Sequence, residues 1–158
     1  MTTAPVLVDP ALTVPLRRRV LRPHQTLAEV AAAMDGPETV ALAVLGDAGE
    51  PVACVLAAPE PPPVPLGEGL PAGGEWRLRG MATDPARRGE GLGRLVLDAV
   101  LVDLAGRGAA LVWCNARTPA RTLYARAGFV VVGDPWDEPD IGPHVRMWTR
   151  LPVPVTGG

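Results

Sequence analysis

The chain contains no lysine; all 15 of its basic residues are arginine. That absence excludes Schiff-base catalysis by a lysine and nucleotide binding through a P-loop lysine. Aromatic residues are scarce at 4%, with a single tyrosine, Tyr124, and a single phenylalanine, Phe129. The two cysteines, Cys54 and Cys114, sit inside apolar strand-like runs and read as buried reduced thiols. No run approaches the ~18 apolar residues of a membrane span. Met1 to Val14 lacks the basic start and long apolar core of a signal peptide. A net charge of −2 and a pI of about 5.7 argue against nucleic acid as the main partner. The expectation is a cytoplasmic enzyme or binding domain that engages neither nucleic acid nor membrane.

What is present is a globular chain of 158 residues, 47% hydrophobic, with 18 glycines and 19 prolines. That length predicts one domain with a sizeable core and many loops. Residues 1–13 read as a flexible tail, 14–151 as the domain, and 152–158 as a second tail. Val14 to Leu21 reads as a first strand. Leu27 to Met34 repeats apolar residues at helical spacing and stops at Asp35-Gly36-Pro37. Thr39 to Leu45 and Val52 to Ala58 form a hairpin across Gly46-Asp47-Ala48-Gly49. Pro59 to Gly74 is a loop whose Pro61 to Pro65 core favours polyproline II. Trp76 to Thr83 is a fourth strand. Leu92 to Ala105 is a helix so apolar that burial on most sides is expected. Ala109 to Asn115 is a fifth strand. Thr118 and Pro119 open a short helix as N-cap and N1 residues, and Gly128 ends it. Phe129 to Val132 and His144 to Leu151 are the last strands, flanking an acidic loop from Gly133 to Gly142. Three adjacent strands followed by a crossover helix predict a mixed sheet with helices on both faces.

Between the fourth strand and the long helix lies Arg88-Gly89-Glu90-Gly91-Leu92-Gly93. Its glycines let the backbone turn tightly and keep side chains out of a ligand's way. N–H groups at a helix start, with roughly half a positive charge from the helix dipole, suit a phosphate or pyrophosphate. A P-loop needs Lys-Ser or Lys-Thr after its last glycine, where this chain has Arg94-Leu95. A dinucleotide fingerprint needs Gly-x-Gly-x-x-Gly, whereas the spacing here is Gly-x-Gly-x-Gly.

Arg88-x-x-Gly91-x-Gly93 resembles the acetyl-CoA pyrophosphate loop of the GCN5-related N-acetyltransferase (GNAT) superfamily. The resemblance continues in Leu78 to Pro85 before the loop, in Cys114-Asn115-Ala116-Arg117, Tyr124 and Gly128-Phe129 after it, and in Gly142-Pro143-His144 with Arg146-Met147. It spans roughly Thr13 to Leu151. It implies an α/β (α+β) GNAT fold with a mixed, mostly antiparallel seven-stranded sheet. The implied activity is direct transfer of acetyl from acetyl-CoA to a small-molecule or peptide amine, with no metal. Homodimer formation stays open. By the same resemblance Met81, Ala82 and Thr83 bind the pantetheine arm, and Met81 N–H polarises the acetyl carbonyl. Arg87, Arg88, Gly89, Glu90, Gly91, Leu92, Gly93 and Arg94 hold the pyrophosphate. Asn115 holds the pantetheine or the substrate. Tyr124 acts as general acid toward the departing thiolate. Glu75 and His144 are the candidate general bases. Asp134, Asp137, Glu138 and Asp140 offer an acidic surface for a cationic amine. The competing reading is a non-catalytic acyl-CoA-binding or regulatory module of the same fold. An interaction protein acting through Pro61 to Pro65 leaves the glycine loop unexplained.

Overall fold

The computed structural model describes residues 4–33, 36–67, 69 and 73–153. It contains a seven-stranded sheet in the order β1-β2-β3-β4-β5-β7-β6. The strands are β1 (Val6–Val8), β2 (Val40–Leu45), β3 (Pro51–Pro59), β4 (Glu75–Thr83), β5 (Leu111–Arg117), β6 (Val130–Glu138) and β7 (Gly142–Arg150). The helices are α1 (Val14–Leu21), α2 (Leu27–Ala32), α3 (Leu92–Gly106) and α4 (Arg121–Arg126). Pairing is parallel between β4 and β5 and antiparallel for β1–β2, β2–β3, β5–β7 and β6–β7. This is the mixed, mostly antiparallel α/β architecture expected.

The chain divides into two compact units, residues 1–58 with 79–100, and residues 59–78 with 101–158. The first is built on the β2–β3 hairpin. Leu16, Ala41, Ala43, Cys54, Leu56 and Ala82 form one buried cluster, with Val20 and Leu21 packed against it. Val14 to Leu21 is therefore helical, not the strand expected. Leu16 and Val20 fall four apart on one face, Pro15 sits in the first turn where its missing N–H costs nothing, and arginine is a good helix former. Nor are residues 6–13 a loose tail. Val6–Val8 pairs with Ala41–Ala43, and a 3₁₀ turn over Pro10–Thr13 is capped by Asp9. α2 begins with a capping box between Thr26 and Glu29. Its expected end at Met34 lies outside the described residues.

The second unit is centred on β5, where Leu111, Val112, Trp113 and Cys114 are all buried. Leu101, Leu104, Phe129, Val145 and Met147 are buried in the same unit. Two expectations are corrected here. Gly133 to Gly142 is not an open acidic loop. β6 continues through it, with a register shift between Val132 and Trp136, and meets β7 as Trp136↔His144, Asp137↔Pro143 and Glu138↔Gly142. The short helix does not start on a Thr118 cap. A 3₁₀ turn over Thr118–Ala120 precedes α4, and Arg117 is its capping residue.

α3 is less enclosed than its composition suggests. Leu92, Val96, Leu97, Val100, Leu101 and Leu104 form one buried stripe, while Leu95 and Val102 are exposed. Helical periodicity, not mean hydropathy, decides which side is covered. No helix of the described residues is long and apolar enough to cross a membrane.

Candidate active site

In the first unit the candidate residues run from Met81 to Arg94. Asp84 N–H donates to Val52 O at 2.8 Å, so Asp84 faces β3. Strand alternation then aims the N–H and C=O groups of Met81 and Thr83 away from β3. The β4–β5 ladder covers Glu75–Leu78 with Leu111–Cys114 and stops there. Met81 and Thr83 thus carry backbone groups that β5 does not use, as an added extended ligand requires.

Asp84 ends β4 by capping the following turn. Its Oδ1 accepts from Ala86 N–H at 3.0 Å, and Arg87 N–H donates to Asp84 O at 2.8 Å. The Ala86 hydrogen bond, then the nearby Arg19 and Arg87 charges, hold the Asp84 carboxyl below the usual range. Gly89 and Gly91 follow at φ +86° and +77°. A Cβ at either would meet no protein atom within 4 Å. Glycine is needed there for the backbone angle, and the space beside it is open. Leu95 N–H to Gly91 O, at 3.2 Å, closes the first turn of α3. The N–H groups of Leu92, Gly93 and Arg94 therefore have no helical acceptor.

The three arginines of this segment are not equivalent. Arg87 forms a two-pronged pair with Glu90, Nε to Oε2 at 2.7 Å and Nη2 to Oε1 at 2.9 Å. This pair raises the Arg87 pKa and lowers that of Glu90. Arg94 pairs with Asp98 at 2.8 Å. Arg88 makes no ion pair among the described residues and is exposed. The loop's uncompensated charge is Arg88. The hints of this in the sequence are Glu90, three residues after Arg87, and Asp98, four residues after Arg94.

In the second unit, Tyr124 is 5% exposed. Its ring meets Phe129 at 5.3 Å and 59°. Gly128, at φ +100°, reverses the chain so that Phe129 N–H reaches Tyr124 O at 3.0 Å. Burial, then the neighbouring Cys114, raise the phenol pKa well above its ordinary value. Tyr124 therefore stays protonated. The only buried side-chain nitrogen or oxygen without a partner among the described residues is Arg77 Nε, so the Tyr124 oxygen is not stranded in the core. Both cysteines are free thiols, as expected. Burial pushes Cys54 up to about 12 and Cys114 higher still.

His144 pairs across β7 with Arg117 on β5 and with Trp136 on β6. Its ring stacks on Trp136 at 5.8 Å and 26°. His144 Nδ1 lies 2.9 Å from Gly142 O. A carbonyl can only accept, so Nδ1 carries the proton and Nε2 of the neutral ring keeps its lone pair. Asn115 Oδ1 accepts from Arg146 Nε at 3.3 Å. Arg146 also lies over the rings of Trp113 and Trp136, at 5.8 and 5.5 Å. The Arg146 and Trp136 contacts join Asn115 to His144, a link the sequence reading did not contain. Cross-strand register, invisible from one strand alone, creates it.

Glu75 sits elsewhere. It pairs with Leu111 at one end of β5, whereas His144 pairs with Arg117 at the other. Six residues of strand separate those ends by ~20 Å. Side chains also alternate along β5. Cys114, the neighbour of Tyr124, faces one side, and Asn115 and Arg117 are not on that side. Tyr124 and His144 are thus offered to opposite faces of the β5–β7 ladder. Asp134, Asp137, Glu138 and Asp140 are exposed around the β6–β7 hairpin. Glu138 accepts from Trp136 Nε1 at 3.0 Å.

A parallel β4–β5 ladder that stops short, a glycine loop opening α3, and a tyrosine on the short helix after β5 define a GNAT-type acetyltransferase. The model of the Acetyltransferase (GNAT) family matches residues 12–129, and the chain belongs to that family. It is similar to the uncharacterized N-acetyltransferase YitI of Bacillus subtilis (strain 168), with 34% identity over 140 residues covering 88% of this chain and 90% of that protein. A putative N-acetyltransferase from Lactobacillus plantarum superposes with a TM-score of 0.69 at 25% identity, covering 94% of this chain and 99% of the other. A GNAT superfamily phosphinothricin acetyltransferase from Sinorhizobium meliloti, solved in complex with AcCoA, superposes with a TM-score of 0.68. At 15% identity over 94% of this chain and 89% of that one, it shares the fold.

Proposed function

We propose that this protein transfers the acetyl group of acetyl-CoA to a primary amine by direct attack within a ternary complex. The observation that carries the reading is the continuous run from Met81 to Arg94. It presents unused strand backbone, then left-handed glycines, then unsatisfied helix N–H groups beside an unpaired arginine.

In this reading Thr83 and Met81 pair with the pantetheine arm as an added strand would, and Met81 N–H polarises the thioester carbonyl. The N–H groups from Gly89 to Arg94 and the Arg88 guanidinium bind the pyrophosphate. Arg87 and Glu90, locked together, hold the loop's shape. His144 Nε2 takes the proton that the amine loses, directly or through water, and the distant Glu75 has no part in that step. Tyr124 hydrogen-bonds the departing sulfur. A phenol with a raised pKa is a weaker acid than a thiol near 8.5. Tyr124 therefore passes a proton to sulfur only as solvent supplies another to its oxygen; His144 returns the amine's proton to solvent, so the proton gained by sulfur balances the one lost by nitrogen. The C–S bond breaks as the C–N bond forms. None of these steps calls on a metal ion.

The test is release of free thiol from acetyl-CoA over a panel of amines. Amine-dependent release together with N-acetylated product supports the reading. Tight acetyl-CoA binding by calorimetry with no release over the whole panel refutes it in favour of a non-catalytic module.

A further inference from the structure

The first unit contains a cleft of about 300 Å³ whose lining includes Asp9, Ala11, Val14, Arg17, Ala31 and Thr39. Most of the lining is apolar or small; Asp9, Thr39 and Arg17 are its polar members, and Arg17 is its only cation. Arg17 is 5% exposed. Its Nε donates to Thr13 Oγ1 at 2.9 Å, and that hydroxyl donates onward to Pro10 O at 2.7 Å. The guanidinium is thereby fixed in one orientation. No carboxylate among the described residues pairs with it. Asp9, in the same lining, accepts from Ala11 N–H at 2.9 Å instead. Among the described residues the two terminal nitrogens of Arg17 have no partner, and neither is sealed inside the protein. Arg17 is itself one of the residues that line the cleft.

A guanidinium withdrawn from water without a counterion is an unfavourable arrangement, and burial lowers the Arg17 pKa accordingly. An arriving anion relieves it. The planar fork of terminal N–H groups matches a carboxylate with two parallel hydrogen bonds. Arg17 also ties the cleft to the chemistry. A Cβ on Gly80 would come within 2.7 Å of Arg17 Cδ. The arginine stem therefore lies against the β4 backbone one residue before Met81.

We propose that Arg17 binds the carboxylate of the acceptor, which is a small amine bearing a carboxylate, of amino-acid size. The proposal rests on the acetyl-transfer reading and names its acceptor class.

The test compares amines matched in carbon number, with and without the carboxylate: glycine with ethylamine, β-alanine with propylamine, 4-aminobutyrate with butylamine. Charge-assisted hydrogen bonds predict that the carboxylate-bearing member of at least one pair is favoured about thirtyfold in kcat/KM. Arg17→Gln removes that preference, and Arg17→Lys, which keeps charge without the fork, retains part of it. Should Arg17→Gln fail to fold by circular dichroism, the wild type still answers. Butyrate or propionate, carboxylates without an amine, raise the acceptor KM and leave kcat unchanged. Equal kcat/KM within every pair, with no competition by butyrate or propionate, overturns the proposal and leaves acetyl transfer standing. If no amine releases thiol, acetyl transfer fails. Calorimetry of butyrate on the wild type and on Arg17→Gln then decides the cleft alone: heat that Arg17→Gln loses supports it, and no heat sinks it.

Discussion

Replacing Tyr124 with phenylalanine separates its chemical role from its packing role. The variant keeps the ring, and with it the 5.3 Å contact to Phe129 and the buried volume between α4 and β5. It removes one hydroxyl, which is not a stranded core group. Stability should therefore shift by no more than about 1 kcal/mol, read as the urea midpoint. Acetyl-CoA affinity should change less than threefold, because the loop and the β4 backbone that bind it are untouched. The turnover number should fall sharply. A positioned acid contributes roughly 10²- to 10⁴-fold, equivalent to about 3–5 kcal/mol of barrier. The assay is thiol release at saturating acetyl-CoA and amine, paired with calorimetry of acetyl-CoA binding. A kcat within twofold of the wild type, in a variant that folds and binds, would remove Tyr124 from the reaction.

Other expectations follow from the same geometry. Gly91→Ala places a side chain at φ +77° and in the open space beside the loop, where the pyrophosphate is proposed to bind. It should cost about 1–2 kcal/mol of stability through backbone strain and weaken acetyl-CoA binding at least tenfold by calorimetry. Arg88→Ala should raise the acetyl-CoA Kd about tenfold and flatten its salt dependence. Arg94→Ala, whose guanidinium is already paired with Asp98, should do so far less. The alkaline limb of stability reports the cysteines. Cys54 titrates near 12 when folded but near 8.5 when unfolded, so the folded state takes up the charge later. That stabilisation is complete below about pH 8.5 and declines as pH rises toward 12. Cys54→Ala should reduce the slope of the urea midpoint over that window, and an unchanged slope would place the Cys54 titration elsewhere.

The motif-bearing half of the fold was legible because local chemistry wrote it. Gly89, Gly91 and Gly128 need left-handed angles, and Pro85 and Pro119 sit where a turn begins. Elsewhere tertiary context prevailed. Val14–Leu21 carries the β-branched Val14 and Val20 and three consecutive arginines. Its helical face rests on Leu16 and Val20, with Arg17 turned inward, which no periodicity rule anticipates. β1 is three residues long and largely exposed, so its only signal is the partner β2. β6 runs through Gly133, Asp134 and Pro135, which read as a loop. It can do so because it is an edge strand with an irregularity at that point, and an edge tolerates a proline that cannot donate. At the site, residue types were readable but their pairings were not. The partition of Arg87, Arg88 and Arg94 into paired and unpaired depends on side-chain reach, and the distance between Glu75 and His144 depends on register.

The two buried thiols have a consequence for a protein that would release a thiol at every turnover. Free coenzyme A and its disulfides exchange with a protein only through an accessible thiolate. Cys54 and Cys114 are neither accessible nor ionised at neutral pH. Accumulating product therefore has no sulfur on this chain to capture, and the protein does not become a covalent sink for what it makes.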